Sequence, residues 1–314
     1  MILPISVIIP TMNRPKSLDR TLEYISKSVD IPHQIIIVDQ SNNTDAQEQN
    51  KEVLAKYDMF TSRIYEYQQI PSSTKARNNG IKLASNEILV FSDDDVDVSI
   101  EVFTNISALM RDENVAMIAA IDELTQKTKS KLGYFLGTKS YIKRNIGHVT
   151  NSMLGRYPDD IKGQSETQWA QGYFFIVRKS CMSRWQVRWD ENLTSYAYAE
   201  DLDFSYSYYK NAKKEGLRCI IDPNVKVKHL ASLEYRIPNV KNIYMYIINR
   251  KYLAHKHHMG VKGILGRNWC EFWRFWEHVV YNKNPKTFLQ AYMSKFKYWK
   301  DINAGNLDYE KFMK

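Results

Sequence analysis

Three aspartates in a row, Asp93, Asp94 and Asp95, follow the apolar run Glu87-Ile-Leu-Val-Phe91. Carboxylates at that spacing repel one another unless a cation intervenes, and a hard divalent ion with oxygen ligands removes the repulsion. A solvated turn or a helix cap would use the same residues, but their place at the end of an apolar strand favours the metal. A second acidic group, Glu200-Asp201 with Asp203 behind it, opens a helical pattern much later in the chain. Acids there either cap a helix against its macrodipole or belong to a functional site. His229 closes the run Val225-Lys-Val-Lys-His229 and is either a structural imidazole or a ligand. Lys75 and Arg77 lie upstream of the apolar run, where cations meet phosphate or stay unpaired on a surface.

The elements that must position these groups are written as alternating short apolar runs and helical patterns. Ile5–Pro10, Gln34–Val38, Arg63–Tyr67 and Glu87–Phe91 read as strands. Lys16–Ser28, Asp45–Tyr57 and Ala76–Ala84 read as the helices between them, the first with Leu18, Leu22 and Ile25 at helical spacing. Strands separated by single helices predict a parallel sheet with right-handed crossovers, and ligands then sit beyond the carboxyl ends of the strands. That rule selects three loops: 10–14, 39–43 and 92–97. Further on, Val115–Ile121 and Gly172–Val177 read as strands, and Cys219–Asp222 and Val225–His229 as two short ones. A helix is expected from Glu200 to about Glu215, stopped by Gly216. Thr125–Gln168 is polar and weakly periodic, which predicts a long loop or partly helical flap.

Taken together, the segments ISVIIPTMNRP (5–15), IIIVDQSNN (35–43), KARNNGIKLASNEILVFSDDDV (75–96) and WDENLTSYAYAEDLDF onward (189–230) carry an ordered set of motifs. In this order and spacing of P-T-x-N-R, V-D-x-S, A-R-N-x-G, D-x-D, E-D-x-D and a late His, the chain resembles the inverting family 2 glycosyltransferases over roughly residues 4–232. Met12, and Ser72-Ser73 where a Gly commonly precedes A-R-N, are departures. The resemblance implies a GT-A fold: a Rossmann-like, mostly parallel sheet flanked by helices, with a C-terminal helical extension. It divides the chain into a nucleotide-sugar half (1–98), an acceptor half (99–234) and a tail (235–314). It also implies roles. Pro10, Thr11, Asn13 and Arg14 would line the nucleotide pocket, Asp39 would accept from a uracil or thymine ring, and Arg77 would sit near the base or diphosphate. Asp93 and Asp94 would meet the nucleotide, and Asp95 and His229 would bind Mn²⁺ or Mg²⁺, the imidazole favouring Mn²⁺. Asp201 would be the general base, with an ordinary carboxylate pKa sufficient for the task, and Glu200 would orient it or the acceptor. Trp169, Gln171 and Gly172 would contact an acceptor sugar, although a Trp at a strand start is as readily a core residue.

Charge separates the tail from the rest. The chain of 314 residues has 44 Lys+Arg and 35 Asp+Glu, for a net +9, but residues 235–314 alone carry +10 and the first 234 carry −1. The tail also holds four of the seven tryptophans. Trp269, Phe272, Trp273, Trp276, Val279 and Val280 recur at helical spacing, with Glu271, Arg274 and Glu277 on the other side. A second stripe, Phe288, Tyr292, Phe296 and Trp299, is interleaved with Lys295, Lys297 and Lys300. Two readings stay open for these helices: packing on the catalytic body or a second copy of the chain, and contact with an anionic membrane surface. His255, Lys256, His257 and His258 read as a solvated face. Cys181, Cys219 and Cys270 form no C-x-x-C pair, and a reducing compartment is expected. The first residues show no basic stretch before an apolar run, and no run reaches the ~18–20 residues of a membrane span, so a cytoplasmic protein is expected, on its own or peripheral to the inner membrane.

The function expected is transfer of a sugar from a UDP- or dTDP-sugar to a glycan or lipid-linked hydroxyl in surface polysaccharide synthesis. A sugar-1-phosphate nucleotidyltransferase would carry a Gly-rich phosphate loop after the first strand, and TMNRPKS has none. A non-enzymatic polyanion-binding protein would use the basic aromatic tail but leaves the acidic clusters unexplained; nucleic acid is not expected as a partner.

Overall fold

A computed structural model describes residues 1–125, 130–138, 146–158, 161–194, 198–232 and 239–314. In the first part of the chain, β1 (Ile2–Thr11), α1 (Pro15–Ser26), β2 (Ile31–Asp39), α2 (Thr44–Ala55), β3 (Ser62–Tyr67), α3 (Ser73–Leu83) and β4 (Ile88–Ser92) alternate as the apolar periodicity predicts. A short strand β5 (Val96–Val98), helix α4 (Val102–Leu109) and strand β6 (Val115–Asp122) follow. The expected flap holds α5 (Lys131–Leu136) and the two-residue strands β7 (His148–Val149), β8 (Gly155–Arg156) and β9 (Ser165–Glu166); its residues 126–129, 139–145 and 159–160 lie outside the described residues. Next come β10 (Phe174–Arg178), α6 (Lys179–Trp185), α7 (Glu200–Lys214) and β11 (Arg218–His229). The tail is helical: α8 (Asn239–Lys256), α9 (Gly260–Val280), α10 (Pro285–Lys297), α11 (Trp299–Asn303) and α12 (Tyr309–Phe312).

The main sheet runs β3-β2-β1-β4-β10-β6-β11-β5, with β9 added on β11. The β3-β2-β1-β4 half is parallel, and β6 and β11 are parallel to each other. One departure from an all-parallel sheet matters for the site: β10 lies antiparallel between β4 and β6. A strand buried on both faces reads as an unbroken apolar run in either direction, so its orientation is not encoded in its composition. β5 and β9 also run antiparallel to β11, which is a single strand with an irregular register between Ile221 and Lys226 where two strands were expected.

Alternation along the strands sends side chains to two cores. Val7, Ile9, Ile35, Ile37 and Val90 face α1 and α4 with Leu18, Leu22 and Phe103. Ile8, Ile36, Leu89 and Phe91 face the other way, into a cluster that includes Trp189, Phe204 and Tyr208. That second core continues into the tail through Ile243, Met245, Ile248 and Leu253 of α8, and through Phe288 and Phe312. Helix α3 lies so close to β1 that a Cβ on Gly80 would stand 2.3 Å from Ile8 Cγ2, which accounts for the glycine in A-R-N-x-G. Asn78 of the same motif bonds both the N–H and the carbonyl of Trp189, at 3.0 and 2.9 Å, and ties α3 to the segment before α7.

Candidate active site

Sheet register brings the late histidine to the aspartates. Because β11 pairs antiparallel with β5, His229 stands opposite Val96, one residue from Asp95. The His229 Nε2 lies 3.3 Å from Asp95 Oδ1, and its ring stacks on Tyr173 with centroids 5.2 Å apart. One donor atom from each of Asp93, Asp95 and His229 falls within 4.8 Å of the others. Asp95 Oδ1 is buried without a hydrogen bond. An unsatisfied carboxylate oxygen beside a second carboxylate and an imidazole is a donor set suited to a divalent ion such as Mn²⁺. Burial would lower the His229 pKa, but the adjoining Asp95 carboxylate and the nearby Asp93 charge raise it. Burial likewise opposes ionisation of Asp95, yet His229, the Ser232 N–H and Arg14 hold it below the ordinary carboxylate value. Asp94 points the other way, towards β1. It accepts from Thr11 Oγ1 at 2.7 Å and Arg14 Nη1 at 3.1 Å, and burial pushes its pKa up to about 7.

The first two loops do meet this cluster. Thr11 and Arg14 bond Asp94, and Asn13, at φ 56°, donates its N–H to Ser41 Oγ at 2.8 Å. Pro10 stands at the end of β1, paired with Val38. Asp39 is different from expectation. It is fully buried, and its four acceptor positions are taken by the N–H and hydroxyl of Ser41, the Asn50 amide and the Tyr65 hydroxyl. In this arrangement Asp39 holds the β2–α2 turn in shape and has no lone pair free for a pyrimidine.

Antiparallel β10 pairs Phe174 with Ser92, so the residues just before it run beside the aspartates, and the Asp93 N–H donates to the Tyr173 carbonyl at 2.9 Å. Gly172, one position earlier, donates its N–H to Asp201 Oδ2 at 2.8 Å, while Asp201 Oδ1 accepts from Leu202 N–H at 2.7 Å. A Cβ on Gly172 would sit 3.0 Å from Asp201 Cβ, so this strand start cradles the carboxylate. Burial raises the Asp201 pKa, against the opposing pull of its two N–H donors, above the ordinary value that would already suffice for a base. Glu200 is raised well above the usual range, chiefly by burial and then by Asp201.

Arg77 joins the two acidic groups. Its Nη2 donates to Asp93 at 2.8 Å and its Nη1 to Glu200 at 3.3 Å, and the guanidinium lies 4.6 Å over the Trp189 ring. The side chain is 4% exposed. It was expected beside a base or diphosphate; here it is an internal strut between carboxylates. Lys75, on the same helix, is exposed.

Other expectations change as well. Trp169 is buried, packed at a tilt against Tyr157 and donating Nε1–H to the Arg156 carbonyl, so it belongs to the core rather than to an acceptor surface. Gln171 is half-buried, its Oε1 accepting from Tyr173. Lys256 and His257 are not a solvated face: Lys256 pairs with Asp190 at 2.6 Å and Asp203 at 2.7 Å, and His257 lies 2.8 Å from Asp203. In the tail, Lys295 is buried against Glu271 instead of decorating an exposed stripe.

Known proteins resemble this chain in sequence or in fold. The model for "Glycosyl transferase family 2" matches residues 6–184. An uncharacterized glycosyltransferase of Bacillus subtilis (strain 168), YwdF, is 35% identical over 91 residues, covering 29% of this chain; the match spans about a third of that relative's length (32%). Among solved structures, S. aureus TarS 1-349 aligns over 83% of this chain and 71% of its own, at 19% identity and TM-score 0.54. GalNAc-T7, solved with UDP, GalNAc and Mn²⁺, aligns over 89% and 57%, at 16% identity and TM-score 0.58. The mannosyltransferase PcManGT from Pyrobaculum calidifontis, in complex with GDP-Man and Mn²⁺, aligns over 94% and 75%, at 14% identity and TM-score 0.54. At these identities the structural likeness speaks for a GT-A fold alone. With the family model covering more than half of the residues, the chain belongs to glycosyl transferase family 2.

Proposed function

We propose that the chain transfers a sugar, with inversion, from a UDP- or dTDP-sugar to a hydroxyl of a glycan or lipid-linked acceptor. The observation that carries this reading is the Arg77 bridge: it fixes a triad suited to a cation and a partly buried carboxylate pair as one unit. Thr11, Asn13, Arg14 and Asp94 shape the nucleotide side, with Asp39 acting through the turn that it holds. Asp93, Asp95 and His229 would hold Mn²⁺ or Mg²⁺. Such an ion, when bound, offsets charge on the departing diphosphate.

Asp201 is the base. Its oxygens each keep a lone pair beyond the N–H bonds from Gly172 and Leu202, and a raised pKa makes the carboxylate a stronger base that is still ionised at the operating pH. As the acceptor oxygen attacks the anomeric carbon, its proton passes to Asp201, and the bond to the diphosphate breaks with its electron pair going to the phosphate oxygen. Glu200, held by Arg77, orients the acceptor. Two measurements test this. UDP, dTDP and GDP are compared by thermal shift with and without Mn²⁺, and a metal-dependent rise with a pyrimidine nucleotide is expected. Asp201→Asn should keep that rise and lose transfer; an active Asp201→Asn enzyme overturns the assignment of the base.

A further inference from the structure

The longest tail helix leaves an apolar face uncovered. Val261, Leu265, Trp269, Phe272, Trp276 and Val279 follow one another at i, i+4, i+8, i+11, i+15 and i+18, a single stripe about 27 Å long. A face of this kind in a folded core would be buried, yet Val261 is 69% exposed, Leu265 65%, Phe272 51% and Trp276 46%. The stripe extends sideways: Phe135 of α5, 67% exposed, packs edge-on against Trp269 at 5.5 Å. Isolated exposed apolar residues are ordinary, but a continuous stripe of this length marks a contact surface.

Charge identifies the occupant. Between Gly260 and Lys300 there are two acids. Glu271 is fully buried against Lys295 and Arg267, and Glu277 is paired with Arg274 at 2.7 Å. Lys262, Lys283, Lys286, Lys297 and Lys300 are exposed and have no ion-pair partner among the described residues. The segment therefore offers apolar and aromatic side chains with free cations and no free anion. Pairing with a second copy of the chain through this face would set these lysines against the same lysines. A surface that is both apolar and negative fits it, and we propose that α9, with the lysines of α9, α10, α11 and the turn at Lys283, docks on an anionic lipid bilayer. Indole rings favour the level of the headgroups, and each lysine near such a surface strengthens binding about five-fold. No helix among the described residues is long and apolar enough to cross a membrane, so the contact is peripheral.

Vesicle flotation tests the proposal with the full chain. The protein should float with phosphatidylcholine vesicles in which a third of the lipid is phosphatidylglycerol, more weakly with phosphatidylcholine alone, and less as salt rises. Lys283→Glu with Lys286→Glu should lower binding to the anionic vesicles by roughly 25-fold or more. Phe272→Ser with Trp276→Ser should abolish it, with the melting temperature of the free protein unchanged because both side chains are exposed. Vesicle binding indifferent to both pairs, or no flotation, overturns the proposal. So does self-association in sedimentation velocity that Phe272→Ser with Trp276→Ser removes, or binding to duplex DNA in place of vesicles. The nucleotide thermal shift is read on the same variants, so failure here is distinguishable from failure of the catalytic reading.

Discussion

Arg77→Gln separates two roles for one guanidinium. A diphosphate-binding arginine stands free before the donor arrives, whereas the Arg77 seen here is already committed to Asp93 at 2.8 Å and Glu200 at 3.3 Å. Glutamine keeps much of the volume and removes the charge, leaving Glu200 and Asp93 facing each other beside Asp201. Removing one partner of a buried ion pair costs about 3–5 kcal/mol. Asp93 is 32% exposed and water screens its share, whereas Glu200 at 14% is not so relieved. A loss of about 2–4 kcal/mol is therefore expected. At roughly 2 °C per kcal/mol for a chain of this size, the metal-free protein should melt about 4–8 °C lower. Mn²⁺ should recover part of the loss, because a cation at Asp93 replaces part of the missing positive charge. The assay is a melting curve of wild type and variant without additions, with Mn²⁺, and with Mn²⁺ and UDP. An unchanged melting temperature without additions, combined with loss of the UDP-dependent rise, refutes the strut and returns Arg77 to the diphosphate.

Three further outcomes follow from the same geometry. Gly172→Ala keeps the N–H to Asp201 but sets a Cβ 3.0 Å from the Asp201 Cβ, so the base must shift by tenths of an ångström; kcat should fall about ten-fold with donor affinity intact, and equal loss of both would show a general collapse. Because burial raises the Asp201 pKa, the carboxylate is charged only above that raised value. Activity should then be lost, as pH falls, above the ordinary carboxylate value of about 4, and a kcat/KM profile with its acid limb at about 4 contradicts this. Asp203→Ala leaves His257 without its carboxylate and Lys256 with Asp190 alone; urea unfolding should register a loss of about 3 kcal/mol, and a change below 1 kcal/mol would mean that the network adds little.

What could be read from sequence was what depends on local pattern. Buried strands announce themselves as apolar runs, so β1, β2, β3 and β4 were legible to within a few residues, as was the amphipathic period of α9. The acidic groups were legible because clustered carboxylates at strand and helix ends demand compensation. Partners that depend on direction or distance were not. Nothing in Phe174–Arg178 reveals that it runs against β4, yet that reversal is what sets Gly172 against Asp201. Arg77 reads as a cation near phosphate until Glu200, far along the chain, is seen beside it. Trp169 precedes a strand as an acceptor platform or a core residue would, and only Tyr157 and Gly155 packed on its ring decide between them. Asp39 carries no sign of Asn50 and Tyr65, which close it off from a ligand.

The E-D-x-D spacing gains a physical account from these contacts. Successive helical residues point about 100° apart, so acids at the first, second and fourth positions of α7 leave the helix in three directions. Glu200 reaches Arg77 and through it the triad on the donor side. Asp201 reaches Gly172 at the start of β10. Asp203 turns inward to Lys256 and His257 at the end of α8. The first turn of α7 is therefore a junction, joining Arg77 and the donor side, the start of β10 and the end of α8. On this argument α8, whose Ile243, Met245 and Leu253 share the core of Phe204 and Tyr208, works as part of the catalytic body. Phe288 of α10 and Phe312 of α12 lie in that same core, so what stands apart in the tail is the uncovered face of α9 and not everything beyond Gly260.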